Sequence, residues 1–338
     1  MTQTRTFVRL RSLGTLLVVL LKALVPFAAT PPGQRPNTGL QSRVAGGVSD
    51  PSVKASQFFD SESLSGKSPA ATCFELGKQY FEQRQWERAA EYLEKSLRYQ
   101  ERNDQSHLLL GLVWRELGRP VQAESELLEA ARENPTSCVN LYMAGYQLQS
   151  EGKYEQALAY HYRAIQLNPR FLRALEALGQ LHVILGNDKL AEHYLRKAVE
   201  IVAGSSPLPA ADADLAYSAY IDLAYVVMCS DQQTRVAEGL KYANRAAELD
   251  PTSADAHYLV GKGLFKLGNV PQAIQELGRA ERLATDDPKI HLLLARAYDR
   301  AGRNREAQAE RDTAERVRRR LAQSRFAGDK IAGLIPVK

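Results

Sequence analysis

The sequence has few of the residues that build disulfide frameworks or zinc sites. Its 338 residues include only three cysteines, Cys73, Cys138 and Cys229, with no CxxC pair and no Cys/His ligand spacing. Because both kinds of site need clustered ligands, neither is indicated. We expect the cysteines to be small buried residues on helices. The alternative, for an exported protein, is one chance disulfide pair.

Motifs of the common enzyme classes are also missing. The sequence has no HExxH, no GxSxG, no phosphate-binding glycine loop and no GxGxxG motif after a strand. We interpret the positions of the six histidines as unrelated to one another; they are His107, His161, His182, His193, His257 and His291. The sequence therefore predicts no catalytic residue, no metal site and no cofactor. An enzyme built from scattered residues, or a regulatory fragment of one, is the alternative.

The central region lacks an excess of positive charge. The formal net charge is +5, but residues 70–302 contain 26 basic and 31 acidic residues. The positive charge therefore lies at the two ends of the chain. Binding of a phosphate backbone needs a cationic face, so this distribution argues against a nucleic-acid partner.

The N-terminal segment, residues 1–30, combines basic residues with an apolar run. Three arginines precede the uninterrupted run Leu16 to Leu21, which is typical of a secretory signal. Lys22 interrupts the apolar stretch and Phe27 fits poorly before a cleavage site. Alternatives are therefore a short uncleaved membrane anchor at residues 8–29 or a buried amphipathic helix. We expect a protein that is periplasmic, secreted or membrane-anchored, with a cytoplasmic protein as the alternative, and a flexible Pro/Gly/Ser-rich linker at residues 31–69.

Small residues recur along the rest of the chain with a period of 34 residues. The recurring glycines are Gly77, Gly111, Gly145 and Gly179, and the alanines twelve residues later are Ala89, Ala123, Ala157 and Ala191. The spacing returns in the pairs Gly261–Ala273 and Ala295–Ala307, and repeats end at Pro135, Pro169 and Pro251.

This pattern resembles the tetratricopeptide repeat family, whose unit is a pair of antiparallel helices, A and B. The resemblance implies an all-α fold, a right-handed superhelical solenoid of about seven helix-turn-helix units with a C-terminal capping helix, at residues 70–325. The units are residues 70–103, 104–137, 138–171, 172–205, 217–253, 254–287 and 288–321.

The third unit shows the physical reasons for the pattern. We predict helix A at about residues 139–149 and helix B at about residues 154–166. Gly145 and Ala157 are small where the two helices cross, and His161 occupies a large packing position on helix B. Pro169 cannot continue helix B and turns the chain into the next unit. Glycines and asparagines between helices A and B favour the left-handed cap conformation.

Two parts of the array depart from the pattern. In the unit at 217–253, Ala224 stands at the glycine position and Gly239 at the alanine position, and a proline-containing loop precedes the unit. Residues 303–325 contain eight arginines and four acidic residues, and we interpret them as the last helix and a solvated cap. Contact of residues 316–320 with anionic lipid or an acidic partner is the alternative. The tail, residues 326–338, is expected to be disordered or to form an apolar strand.

The resemblance implies a concave groove lined by positions 2, 5, 9, 12 and 13 of the A helices. We take as partner-binding candidates Leu108, Leu112, Tyr142, Tyr146, Tyr225, Tyr258, Lys262 and Phe265. Such side chains suit an extended protein segment. No repeat has lysine at position 5 or asparagine at position 9, so the family's carboxylate clamp for chaperone tails is not expected.

The sequence therefore predicts a non-enzymatic protein-interaction scaffold. Self-assembly through the concave face is the alternative function. Packing between successive A helices is the alternative role for Leu108 and Leu112.

Overall fold

A computed structural model describes residues 68–204, 213–230 and 232–332, with side chains up to residue 323. These residues belong to one structural unit of the chain. The predicted export segment at residues 1–30 lies outside the described residues, as does the predicted linker up to residue 67.

The described residues form fourteen helices and no strand. In chain order they are α1 (Pro69–Glu82), α2 (Trp86–Tyr99), α3 (Asp104–Glu116), α4 (Pro120–Glu133), α5 (Cys138–Ser150), α6 (Tyr154–Leu167), α7 (Leu172–Ile184), α8 (Asp188–Ala203), α9 (Ala213–Val227), α10 (Gln233–Leu249), α11 (Ala254–Lys266), α12 (Val270–Leu283), α13 (Pro288–Arg300) and α14 (Asn304–Ala332). Odd-numbered helices are the A helices and even-numbered ones the B helices. The all-α fold predicted from the sequence is confirmed, and seven helix pairs account for it.

Each helix packs against the helices before and after it in the chain, and successive A helices also contact one another. Several A helices begin directly after a residue whose side chain caps the helix. The side chain of Asn103 accepts a hydrogen bond from the Ser106 amide at 3.1 Å, and Ser137 and Ser253 cap α5 and α11 in the same way. These caps satisfy amides that have no partner inside the helix.

The recurring glycines pack against a different residue from the one the spacing suggested. A Cβ placed on Gly111 would lie 2.6 Å from Leu127 Cγ, so the leucine sixteen residues later fills the space that the glycine leaves. The same contact occurs in the pairs Gly77–Leu93, Gly179–Leu195 and Gly261–Leu277. In the third helix pair, His161 replaces the leucine, and its Cε1 would lie 2.7 Å from a Cβ placed on Gly145. Ala157 is fully buried nearby, against Leu148 and Leu181.

The turns between A and B helices need a left-handed residue at repeat position 15. Glycine takes this conformation in five repeats, at Gly118, Gly152, Gly186, Gly268 and Gly302. The first repeat has Arg84 there, with φ at 58°. A non-glycine residue in this region costs about 1–2 kcal/mol, so the first turn is strained relative to the five turns that have glycine.

The fifth pair begins earlier than predicted. Helix α9 starts at Ala213, inside the predicted loop, and α10 starts at Gln233. A Cβ on Gly239 would lie 3.2 Å from the Ala224 carbonyl oxygen. The nearest atom to such a Cβ is Met228 Cγ, at 2.5 Å, so this glycine lies on α10 and packs against the C-terminal end of α9 and Met228.

The C-terminal helix is longer than predicted. Helix α14 runs to Ala332, so residues 326–332 continue the helix instead of forming the expected tail. No proline lies between residue 304 and Pro336, so proline does not block helical geometry in this segment.

The expectation of buried cysteines holds only in part. Cys73 and Cys138 are half-buried on helices, whereas Cys229 is exposed in the turn after α9.

Candidate functional site

An open cleft of about 260 Å³ lies between the A helices of repeats six and seven. It brings together three of the predicted groove residues, Tyr258, Lys262 and Phe265, all on α11. Spacings of three and four residues place these side chains on one face of the helix. The other lining residues are Lys266, Lys289, Leu292, Leu293 and Arg296.

The cleft is cationic and aromatic. Four of its eight lining residues carry positive charge, and none is acidic. The Arg296 guanidinium lies 5.4 Å from the centroid of the Phe265 ring. Lys262 Nζ lies 5.0 Å from the ring centroid of Tyr225, a predicted groove residue that is 41% exposed. The cleft therefore combines positive charge with ring faces that attract it.

Burial changes the acid–base properties of two cleft residues. It lowers the pKa of Lys262, because desolvation penalises the charged ammonium. It also raises the pKa of Tyr258 to about 12, with a smaller contribution from the charge of Asp287. The Tyr258 hydroxyl is thus a neutral hydrogen-bond donor at physiological pH. A carboxylate brought to Lys262 would favour its charged form and offset the desolvation.

The tyrosines predicted for the third repeat pack against each other. The ring centroids of Tyr142 and Tyr146 lie 6.0 Å apart, and Arg115 lies 4.8 Å from the Tyr146 ring centroid. Tyr142 is buried and contacts Phe171 edge-on at 5.8 Å. Of these two tyrosines, Tyr146 is therefore the one that offers a partner some surface.

Leu108 and Leu112 are part of the core. They expose 3% and 5% of their surface, which leaves a partner almost nothing to contact. Their burial matches the alternative role, packing between successive A helices, and we remove them from the candidate surface.

A pair of carboxyl groups, the buried Glu176 and the half-buried Asp222, lies between the fourth and fifth A helices. Gln180 Nε2 donates to Asp222 Oδ2 at 2.9 Å and reaches Glu176 Oε1 at 3.4 Å. Burial raises the pKa of Glu176 to about 8, and the charge of Asp222 adds to this effect. Burial also raises the pKa of Asp222 to about 6. The two groups therefore do not both ionise readily at neutral pH.

Sequence reasoning missed several cationic residues of the cleft. Lys266, Lys289 and Arg296 lie at repeat positions 13, 2 and 9, which the family resemblance had already marked. Combining these positions from two adjacent repeats would have found them.

Three of the six histidines occupy equivalent positions, which corrects the interpretation that their positions are unrelated. His107, His257 and His291 all lie at repeat position 4. Each forms a His–Glu pair, defined as the contact of its Nδ1 with the glutamate nineteen residues later, at 2.7 to 2.8 Å. Each Nε2 faces the backbone carbonyl six residues earlier, at 2.9 to 3.1 Å. The pair thus ties helix A to helix B and to the preceding turn.

The tetratricopeptide repeat family model matches residues 74–137, 142–206 and 231–289, which is more than half of the chain. The chain belongs to the tetratricopeptide repeat family. Helix-pair solenoids of this family present their A helices along one face, and the cleft between α11 and α13 lies on that set of helices.

One curated protein resembles the chain over a part of its own length. Anaphase-promoting complex subunit 3 of Schizosaccharomyces pombe is 25% identical over 177 residues, which are 52% of this chain and 24% of that protein. The chain thus spans about a quarter of this curated relative's length.

Two solved structures share the fold. The Cut9–Hcn1 hetero-tetramer of the APC/C superposes with a TM-score of 0.56 at 17% identity, over 72% of this chain and 46% of that one. Pseudomonas aeruginosa pilF superposes with a TM-score of 0.52 at 19% identity, over 72% and 97%. At these identities the likeness concerns the fold alone.

No helix within residues 68–204, 213–230 and 232–332 combines the length and the apolar character needed to cross a membrane.

Proposed function

We propose that this protein is an interaction scaffold that binds an extended, acidic segment of another protein along its A helices. The cleft between α11 and α13 is the principal contact, and Tyr225 and Tyr146 extend the surface toward earlier repeats. No chemical reaction is part of this function.

The cationic, aromatic cleft carries the proposal. None of its lining residues is acidic, so the positive charge of the lining attracts a carboxylate of the segment. Phe265 and Leu292 give an apolar side chain of the same segment a surface to pack on. The Tyr258 hydroxyl can donate to a backbone carbonyl of the segment.

A displayed library of random peptides, selected on the full chain, tests this proposal. We expect selected peptides to place an acidic residue beside an aromatic or aliphatic one. A double variant, K262A with K289A, should weaken their binding at least about tenfold in a fluorescence polarisation titration, because each lost charge contact is worth about 1 kcal/mol or more. Raised salt should weaken wild-type binding as well.

Lys241→Ala is the matched control, because Lys241 is an exposed lysine on α10 that does not line the cleft. Its variant should bind like wild type. Selection of peptides without acidic residues, or equal affinity in the double variant and the control, would show that the cleft is not the binding site.

We further propose that the scaffold acts outside the cytoplasm or at the membrane. The basic residues and apolar run of residues 1–30 support this location. Fractionation of cells that express the full chain, with N-terminal sequencing of the product, tests it. A product that begins near residue 30 is expected for a secretory signal, whereas an uncleaved product in the soluble cytoplasmic fraction would contradict the proposal.

A further inference from the structure

The second repeat differs from the other repeats that contain a His–Glu pair. Its helix α4 presents two further glutamates, Glu129 and Glu133, three and seven residues after the pairing residue Glu126. This spacing places the three carboxylates on one helix face, which is the face turned toward His107 on α3.

The side chains of His107, Glu129 and Glu133 converge. Each offers one ligand atom, and these three atoms lie within 4.8 Å of one another. Glu133 Oε1 lies 3.9 Å from His107 Nε2. One imidazole nitrogen and two carboxylate oxygens on two helices are a donor set that a single cation could bridge.

Glu133 gives an independent reason to expect a ligand. Its side chain is only 8% exposed, and its Oε2 is buried without a hydrogen-bond partner. A buried carboxylate oxygen without a partner is costly, since burial removes its water and nothing replaces it. A cation bound between Glu133 and His107 would satisfy this oxygen.

We propose that His107, Glu129 and Glu133 form a binding site for a divalent transition-metal cation of the Zn²⁺ type. Imidazole nitrogen favours such cations over Mg²⁺ and Ca²⁺, which prefer ligand sets made only of oxygen. Three protein ligands leave a fourth position for water.

Glu126 orients the imidazole for this role. It lies 2.7 Å from His107 Nδ1, and a carboxylate at one ring nitrogen fixes the other as the ligand. Nε2 faces the Glu101 carbonyl oxygen at 3.1 Å, a contact made through a proton. Binding therefore exchanges the Nε2 proton, released to solvent, for the cation.

The site is open to solvent, and the positive charge nearest to it belongs to an exposed side chain. An open pocket beside His107 is lined by Glu101, Ser125, Glu126 and Glu129, among others. Arg132 pairs with both carboxylate oxygens of Glu129, with Nε 2.8 Å from Oε2. Because the Arg132 side chain is 65% exposed, an incoming cation can displace it into solvent.

The sixth repeat provides an internal control. His257 pairs with Glu276 at 2.8 Å, as His107 does with Glu126, but the positions equivalent to Glu129 and Glu133 hold Arg279 and Leu283. A His–Glu pair without the two added carboxylates should not bind the cation.

The full chain, stripped of metal, should be titrated with Zn²⁺ and with Co²⁺ as a spectroscopic substitute. We expect tight binding that E133Q and E129Q each weaken at least about tenfold, since each removes one ligand. Zn²⁺ should also raise the thermal midpoint of wild type but not of E133Q. E276Q, in the sixth repeat, should bind like wild type.

Two further variants separate this site from other ligands. The triple variant C73S, C138S and C229S should keep the affinity, and the Co²⁺ spectrum should lack thiolate charge-transfer bands. E281Q should also keep it, because Glu281 belongs to a different group, with His291 and Glu310.

Absence of binding by wild type, loss of binding with the cysteines, or unchanged affinity in both E129Q and E133Q would each overturn the proposal. Glu129 is exposed enough, at 33%, for E129Q to fold even if E133Q does not.

Discussion

His161 stands where four other repeats have leucine. It is fully buried against Gly145, and neither ring nitrogen has a hydrogen-bond partner. Burial lowers its pKa to about 4, so it is neutral in the folded protein at pH 7. The sequence predicted a large packing residue here but could not show that both nitrogens lack partners, because that depends on every neighbouring helix.

We predict that His161→Leu raises the free energy of unfolding by about 1–3 kcal/mol at pH 7, since it removes two unsatisfied buried polar atoms. Urea denaturation of both proteins measures this. The gain should grow as the pH falls. The folded pKa lies below the unfolded value of about 6.5, so the unfolded state takes up a proton first and wild-type stability is lost between about pH 6.5 and pH 4.

A control for His161→Leu is the substitution of an exposed histidine. His193 is the natural comparison, because it lies on α8 outside the buried set. His193→Leu should leave the pH dependence of unfolding unchanged. An equal stability of wild type and His161→Leu across this pH range would contradict the assignment of His161 as a partnerless core residue.

At the scale of the helix pair, packing of small residues sets the distance between helices. Ala157 is fully buried between Leu148 and Leu181, so a larger side chain must push α6 away from its neighbours. We predict that Ala157→Phe lowers the free energy of unfolding by more than about 2 kcal/mol. Thermal unfolding of the variant checks this.

Ala159→Phe is the control on the same helix, because Ala159 is exposed two residues away. It should leave the free energy of unfolding within about 0.5 kcal/mol of wild type. Equal midpoints for the two variants would show that Ala157 does not lie at a tight helix contact.

The 34-residue period allowed the helices to be predicted because small residues recur at fixed positions in the regular units, and proline ends three of the units. The third A helix was expected at residues 139–149 and runs from Cys138 to Ser150. The fifth pair and the last helix were placed less accurately. In the fifth pair the small residues are exchanged, and after residue 325 no small-residue period exists to mark where a helix ends.

At the scale of the whole molecule, histidines of two kinds give stability opposite pH dependences. His161 loses stability in acid, as above. Burial lowers the pKa of His291. Hydrogen bonds with the Thr285 carbonyl and with Glu310 raise this pKa by more than burial lowers it, so the net shift is upward. Its contribution is therefore complete below about pH 6.5 and is lost as the pH rises through the folded pKa. Taken together, these two histidines contribute most to stability near neutral pH.

We predict that Glu310→Gln lowers the free energy of unfolding by about 1–2 kcal/mol at pH 6 and by less at pH 9, because it removes the carboxylate that His291 contacts when charged. Urea denaturation at the two pH values measures this. Glu315→Gln, an exposed change on the same helix, should have no such pH dependence. An equal effect of Glu310→Gln at pH 6 and pH 9 would mean that His291 is not charged in the folded protein.

The candidate groove could be predicted only in part. Repeat position identified Tyr258, Lys262 and Phe265, because their register follows from the period alone. Leu108, Leu112 and Tyr142 lie at equivalent positions but are buried. The exposure of these side chains depends on how closely the next A helix approaches. The sequence of a single repeat does not determine that distance.

The His–Glu pair indicates how such an array could have grown. Its two residues lie on different helices, nineteen positions apart, yet they occur together in the second, sixth and seventh repeats. The first, third and fourth repeats instead have tyrosine at the glutamate position, at Tyr92, Tyr160 and Tyr194, and lack the histidine. Duplication of a whole helix pair copies both partners at once, whereas exchange of single helices would strand a buried histidine without its carboxylate. In these six repeats the histidine and its glutamate are therefore present together or absent together.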